Sequence, residues 1–191
     1  MPAARYKHAA AAADGTVVVL GGCTDSNRCN TVLASAIRYR PGAANTWTAL
    51  PNMTTPRWQL AAAALNGTTV FALGGCNGYE CNTVLASVEA LDLAAAPGAP
   101  LSLAWTRYPS MTTGRWGHAA AVLLGVIYVA GGFDYNGNAL ASVERFDGGA
   151  HSAWAPVPAS MTTARTQFAL VALEEGGAGV PPGGLLVAAG G

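Results

Sequence analysis

Residues 115–147 read RWGHAAAVLLGVIYVAGGFDYNGNALASVERFD, and this stretch contains the pattern that decides the fold. Its diglycine, Gly131-Gly132, has counterparts at Gly21-Gly22, Gly74-Gly75 and Gly190-Gly191, with spacings of 53, 57 and 59 residues. The residues around each diglycine are also similar and follow in the same order. Self-similarity at such a period indicates a repeat architecture.

Each complete unit contains two apolar runs joined by a turn signal, then the diglycine, a third apolar run, and a segment that contains tryptophan and proline. The turn signals, such as Asp14-Gly15 and Asn66-Gly67, predict that the first two runs form a hairpin. Pro51, Pro109 and Pro158 lie in the fourth segment of their units. Because proline cannot donate a hydrogen bond to a sheet, the fourth segment is predicted to be an edge strand.

Alanine-rich runs at 9–13, 61–64 and 119–121 favour a helix by propensity alone. Each run is nevertheless bounded within about ten residues by a turn signal and a β-branched run, which is too short for a stable helix. We therefore predict that these runs are buried inner strands.

Four antiparallel strands in a unit of 50 to 60 residues describe one blade of a β-propeller. The succession Arg115-Trp116-Gly117-His118, Gly131-Gly132, Ser142-Val143-Glu144 and Trp154 resembles a kelch repeat across its whole length. The resemblance implies an all-β fold, a propeller of kelch-type four-stranded antiparallel blades.

The repeats predict one propeller segment over 1–191, with blades at 5–53, 57–111 and 115–161 and a partial blade at 165–191. About three and a half blades make an incomplete ring, so we expect the chain to be part of a longer protein. Two departures are visible. Ala36-Ile37 stands where Val-Glu is expected, and residues Gly176 to Gly184 enlarge the last hairpin.

Composition excludes two classes of partner. Only 10% of the residues are charged, the formal net charge is zero, and Lys7 is the only lysine among scattered arginines. Nucleic-acid binding needs clustered cations, so it is not expected. The longest apolar run, 119–130, is shorter than the roughly 20 residues that span a bilayer, so membrane insertion is not expected either.

In an up-and-down sheet, the connections between strands 2 and 3 and from strand 4 to the next strand 1 lie on one side. The resemblance implies that kelch proteins bind partners on this side. The candidate partner-binding residues on it are Arg57, Trp58, Tyr79, Arg115, Trp116, Tyr135 and Arg165. Two alternatives stay open: the three arginines tie neighbouring blades together, and Trp58 and Trp116 wedge between blades.

Other repeated residues are predicted to be structural. Trp47, Trp105 and Trp154 are expected in the core. His8 and His118 share one position on the first strand, and Glu89 and Glu144 are expected to fix their blades rather than to act as general bases.

Two pairs of cysteines bracket equivalent connections. Cys23 and Cys29 enclose the first 2–3 connection, and Cys76 and Cys81 enclose the second. This placement suits local disulfides and an oxidising compartment, which favours an extracellular or secretory location. A zinc site of four thiolates, or reduced thiols, are the alternatives.

No catalytic constellation, phosphate-binding loop or cofactor site is recognised in the sequence. The predicted function is therefore a non-catalytic recognition module for a protein partner, with no cofactor. The alternative is a carbohydrate-binding or carbohydrate-processing propeller of the secretory pathway, of the oxidase or epimerase type.

Overall fold

The computed structural model describes residues 1–25, 29–42, 46–94, 103–149, 151–174 and 180–191. These residues form an all-β fold of three four-stranded sheets, one two-stranded sheet and one small hairpin. The sheets are the blades of an incomplete β-propeller of about three and a half blades. No helix among the described residues is long and apolar enough to cross a bilayer.

Blade 1 consists of β1 (Ala9–Ala13), β2 (Thr16–Leu20), β3 (Ala36–Arg40) and β4 (Thr46–Leu50). Each strand pairs antiparallel with the next one along the chain, so β4 is the outer edge strand. Pro51 follows that strand directly, in agreement with the predicted edge position.

Blade 2 consists of β5 (Ala61–Leu65), β6 (Thr69–Leu73), the short pair β7 (Cys76–Asn77) and β8 (Thr83–Val84), and then β9 (Val88–Asp92) and β10 (Thr106–Tyr108). The sheet order is β5-β6-β9-β10, and β7 and β8 form the small hairpin within the 2–3 connection.

Blade 3 consists of β11 (Ala119–Leu123), β12 (Val126–Ala130), β13 (Val143–Phe146) and β14 (Ala155–Pro156). A fourth sheet contains only β15 (Ala169–Leu173) and β16 (Leu185–Ala189). The loop enlarged by Gly176 to Gly184 joins these two strands, and its residues 175–179 lie outside the described part of the chain.

The alanine-rich runs are the first and innermost strands of their blades, as predicted, but the expected burial is wrong for β1, in which Ala10 and Ala12 are exposed. Strand β1 contacts β5, β5 contacts β11, and β11 contacts β15. Small side chains allow these strands to approach one another closely at the axis. The turns before β2, β6 and β12 have positive φ at both central residues, as tight hairpins require.

The hydrophobic core lies between the blades. Blade 1 contributes Val18 and Leu20 to a cluster with Val70 and Leu91 of blade 2. A second cluster joins Phe71 of blade 2 with Ile127, Phe146 and Trp154 of blade 3. Each sheet is therefore stabilised by its neighbours rather than by a core of its own.

The repeated tryptophans connect successive blades. The indole Nε1 of Trp105 donates a 2.8 Å hydrogen bond to the Pro51 carbonyl of blade 1, and Trp154 Nε1 donates at 2.9 Å to the Pro109 carbonyl of blade 2. Both side chains are buried, as predicted. The prediction for Trp47 is wrong: this residue is only partly buried, and its ring packs on Tyr39.

A buried ion pair is the centre of blade 2. Arg57 Nη2 lies 2.7 Å from Glu89 Oε1, and both side chains are almost completely inaccessible. Oε2 of Glu89 also accepts hydrogen bonds from the backbone N–H and the hydroxyl of Thr54, and Oε1 accepts from the Thr55 N–H. One carboxylate thus fixes the chain as it enters from blade 1.

Blade 3 repeats this arrangement. Arg115 Nη2 lies 2.6 Å from Glu144 Oε1, and Glu144 accepts from the backbone N–H groups of Thr112 and Thr113. Because Arg57 and Arg115 are fully buried, their guanidinium groups are unavailable to a partner, which corrects the partner-binding expectation for these two residues. They have the architectural role that was the alternative.

The diglycines connect each blade to the next. The Gly75 N–H donates a 2.9 Å hydrogen bond to the Arg115 carbonyl of blade 3. Gly74 has a φ of 55°, and a Cβ there would lie 2.8 Å from that same carbonyl oxygen. Only glycine meets both conditions, so its recurrence reflects close backbone packing between blades.

We predict that Glu89→Gln lowers the free energy of unfolding by about 3 kcal/mol, because it leaves the Arg57 charge buried without a counter-ion. Urea unfolding monitored by tryptophan fluorescence measures the change. Glu174→Gln, which alters an exposed glutamate after β15, is the matched control and should change little. Equal effects of the two substitutions would show that the ion pair is not structurally special.

Candidate functional site

The two sets of connections meet on one side of the propeller. Trp58 and Cys76 exchange backbone hydrogen bonds of 3.0 and 2.8 Å, and Trp116 and Phe133 do so at 3.1 and 2.8 Å. The same bridge joins Tyr6 to Cys23 in blade 1. We call this side the loop face; it carries the 2–3 connections and the chain that enters each first strand.

The aromatic candidates on the loop face differ in exposure. Tyr135 is 75% exposed and Tyr79 is 40% exposed, so both phenol rings are accessible. Trp116 is partly buried and packs against Phe133 with ring centroids 4.4 Å apart. Sequence reasoning missed Tyr6, which is 45% exposed at the repeat position that Trp58 and Trp116 occupy.

Trp58 contributes little accessible surface. It is 5% exposed, and its Nε1 donates a 3.1 Å hydrogen bond to the Gly78 carbonyl. The Lys7 ammonium lies 4.6 Å from the indole ring and covers it, a geometry suited to a cation–π interaction. Trp58 therefore supports the loop face rather than forming a stacking platform on it.

Arg165 is the one candidate arginine that the structure leaves partly accessible. Its Nη1 donates a 2.6 Å hydrogen bond to the Gly190 carbonyl, the equivalent of the bonds from Arg57 to Gly74 and from Arg115 to Gly131. The described residues of its sheet form β15 and β16, and none of them provides a carboxylate in the place of Glu89.

Disulfides close two of the 2–3 connections. Cys23 is bonded to Cys29 and Cys76 to Cys81, which are the pairs that the loop positions predict. No cysteine is left free, so the thiolates of the alternative zinc site are not available.

The third blade stabilises its 2–3 connection without cysteine. Asp134 accepts hydrogen bonds from the backbone N–H groups of Asn136 and Asn138 and from the Asn138 side chain. These bonds, the side-chain bond first, hold the pKa of Asp134 below its ordinary value. Different chemistry thus produces compact connections in successive blades.

At the axis, four equivalent residues form the rim of a cavity of about 260 Å³. We call this rim, which consists of Lys7, Gln59, Gly117 and Gln167, the axial mouth. Three of these residues donate a backbone hydrogen bond to the carbonyl of the equivalent residue in the preceding blade. The N–H of Gln59 donates to Lys7 at 2.8 Å, that of Gly117 donates to Gln59 at 3.0 Å, and that of Gln167 donates to Gly117 at 2.7 Å. All four have positive φ.

Gly117 leaves room at the axial mouth. A Cβ there would lie 3.2 Å from Oε1 of Gln59, an atom that is buried and has no hydrogen-bond partner among the described residues. The cavity thus combines amide groups, an ammonium and an unpaired acceptor. Sequence reasoning missed this feature, although the residue two places after each repeated arginine was the available signal.

His118 lies behind the axial mouth and is buried. Burial, together with the charge of Arg115, lowers the pKa of His118 to about 3, although the carbonyls of Leu73 and Arg115 oppose that shift. The ring is therefore neutral at physiological pH. Leu60 and Phe168 occupy the same repeat position, which identifies His118 as a packing residue, as predicted.

Comparisons with known proteins agree with this architecture. The Kelch motif matches residues 4–54, 57–112 and 115–147. Kelch-like protein 33 of Homo sapiens is 30% identical over 75% of this chain, and an F-box/kelch-repeat protein of Arabidopsis thaliana is 32% identical over 62%. The structure of YjhT superimposes with a TM-score of 0.70 at 18% identity and covers 89% of this chain.

The chain spans only part of these proteins. It covers 25% of Kelch-like protein 33, 29% of the Arabidopsis protein and 56% of the YjhT chain. The likeness to YjhT concerns the fold alone.

We predict that replacing both Cys76 and Cys81 with serine lowers the free energy of unfolding by about 2 kcal/mol, because the open loop gains conformational entropy in the unfolded state. Chemical denaturation measures this change. Intact mass of the unmodified chain should rise on reduction by two hydrogens for each disulfide. An unchanged mass would contradict the pairing.

We predict that the unmodified protein loses about 2 kcal/mol of stability between pH 8 and pH 5 through His118 alone. Its pKa is lowered in the folded state, so the unfolded chain takes up a proton below about pH 6.5 and the folded chain does not. The free energy of unfolding therefore decreases as the pH is lowered from about 6.5 to about 3. His118→Leu should remove this slope in urea titrations, whereas His8→Leu at the exposed equivalent position should retain it.

Proposed function

This chain belongs to the kelch-repeat family, and on that premise we propose that it is a non-catalytic recognition module that binds a protein partner through the loop face. Kelch repeats are often protein-interaction modules in kelch-like proteins, and the curated relatives are named kelch-like or F-box/kelch-repeat proteins. The proposal concerns this chain, whatever else the full-length relatives contain.

One observation carries the proposal: connections from separate blades converge on a shared, exposed surface. Backbone bridges hold the 2–3 connections beside the entering segments in three blades. The buried arginine–glutamate pairs fix those segments from below. A surface held in this way is organised before binding, which reduces the entropy that association costs.

The chemistry of the loop face suits a peptide or protein surface. Tyr79 and Tyr135 offer accessible phenol rings, and the axial mouth offers amide groups at Gln59 and Gln167. Tyrosine is enriched at protein interfaces because its ring contributes apolar contact and its hydroxyl contributes a hydrogen bond. The side-chain amide of glutamine can both donate and accept hydrogen bonds, so it can pair with the N–H and C=O groups of a peptide backbone.

The structure gives less support to carbohydrate binding. Sugars stack on open aromatic planes, yet all five tryptophans are at least partly buried. Trp58 is covered by Lys7, and Trp116 packs against Phe133. We therefore favour a protein partner over the carbohydrate alternative.

We predict that Tyr79→Ala combined with Tyr135→Ala lowers the affinity for the partner at least about tenfold, because two accessible ring contacts are lost. The control is Leu124→Asn, at an exposed turn between the first two strands on the opposite side. Quantitative affinity capture from the source organism, followed by titration of the captured protein with each variant, measures the effect.

Equal loss of binding in the Leu124 variant would place the partner elsewhere. If the double tyrosine variant is folded by circular dichroism and binds the partner with unchanged affinity, the loop face is not the binding surface. Binding to a glycan array that peptide ligands do not compete for would replace the protein partner with a carbohydrate.

A further inference from the structure

A polar cleft on the outer part of blade 2 is not used by the proposed recognition surface. It has a volume of about 230 Å³, and the buried pair Arg57 and Glu89 lies at its base. Arg107, on the edge strand β10, forms one wall and is exposed. We call it the Arg107 cleft.

Arg107 has no counter-ion among the described residues, although it lies close to a carboxylate in the sheet. In the sheet register, Arg107 lies directly opposite Glu89. No ion pair joins them, because both oxygens of Glu89 are already occupied by Arg57, Thr54 and Thr55. The two guanidinium groups and one carboxylate leave the cleft with an excess of one positive charge.

One donor of Arg57, which lines the cleft, has no acceptor within the described part of the chain, as is also true of the equivalent atom of Arg115 in blade 3. Nε of Arg57 is buried and has no hydrogen-bond partner among the described residues. Burial is the main cause that lowers the pKa of Arg57, its bond to Glu89 opposes the shift, and the nearby charge of Arg107 lowers it further. The positive charge of Arg107 thus disfavours the charged form of Arg57, and an anion beside the two cations would oppose that effect.

Four residues that line the cleft carry hydroxyl groups. They are Thr55, Ser87, Tyr108 and Ser110. Ser87 Oγ already accepts a 3.0 Å hydrogen bond from Arg57 Nη2, which leaves its own proton to donate. The cleft is several times larger than the roughly 30 Å³ of one water molecule, enough for a phosphate group.

This cationic arrangement is absent from the other two four-stranded blades. The residue that corresponds to Arg107 is Ala49 in blade 1, opposite Ile37, and Pro156 in blade 3, opposite Glu144. Arg107 is therefore not required by the repeat, and the excess charge is particular to blade 2.

From these observations we propose that the Arg107 cleft binds a phosphate group, either free phosphate or a phosphate monoester. A phosphate offers oxygens in three or more directions and up to two negative charges, which suits a guanidinium together with several hydroxyl donors. A carboxylate, with two coplanar oxygens, matches fewer of these donors. The proposal does not depend on the protein-partner function.

The test is a titration of the purified chain with inorganic phosphate at constant ionic strength, followed by amide NMR shifts. We expect saturable shifts at Thr55, Ser87 and Arg107, and an affinity reduced at least about tenfold in Arg107→Ala. The matched control is Arg145→Ala, which removes an exposed arginine from blade 3 and should bind phosphate like the unmodified chain.

Further arms separate the possible ligands. If capped phosphoserine shifts the same residues and capped serine does not, the cleft binds phosphate monoesters. If inorganic phosphate binds and capped phosphoserine does not, the ligand is the free ion. The proposal is overturned if phosphate acts no differently from chloride, if acetate binds as tightly, or if Arg145→Ala weakens binding as much as Arg107→Ala. Thermal unfolding of each variant checks that the fold is intact.

Discussion

The buried pair of arginine and glutamate is the interaction on which the arrangement of the blades depends. In blade 2, Glu89 binds the guanidinium of Arg57 and also the backbone of Thr54 and Thr55, which arrives from blade 1. In the same way, the Arg115 carbonyl accepts a hydrogen bond from Gly75 of the preceding blade. The side chain of Arg115 therefore binds Glu144 within blade 3, while its backbone carbonyl binds the preceding blade. The attraction within a buried ion pair offsets the free energy of desolvating both charges only when their remaining hydrogen-bonding atoms also find partners.

The ends of the ring show what happens when part of this system is missing. Ile37 stands in the place of the glutamate in blade 1, and the acceptors of the Arg5 guanidinium among the described residues are the carbonyls of Gly21 and Ser35. Burial then lowers the pKa of Arg5 without a carboxylate to oppose it. In the last sheet, the guanidinium of Arg165 donates to the Gly190 carbonyl, and no carboxylate pairs with it among the described residues. Within the described residues, the complete network is present in blades 2 and 3.

Much of the fold could be predicted because its signals are local. A turn with two positive φ values and a proline at an edge each specify structure within a few residues, and the diglycines recur at similar spacings of 53 to 59 residues. The burial of Arg57 could not be predicted in this way, since the repeated spacing between Met53 and Arg57 is equally compatible with an exposed or a buried guanidinium. Burial was decided by Glu89, 32 residues away in sequence. The axial mouth was missed for a related reason: it exists only where four blades meet.

The loop face combines a constant framework with variable chemistry, and this combination explains how recognition could arise on such a scaffold. The backbone bridges at Trp58 and Trp116 have nearly the same geometry. The connections above them differ, with a disulfide at Cys76 and an aspartate-centred turn at Asp134. Since the bridges are made by backbone atoms, side chains at the tips can change without disturbing the blades. Specificity for a partner would then reside in the 2–3 connections, while the stability of the surface that presents them resides in the buried ion pairs below.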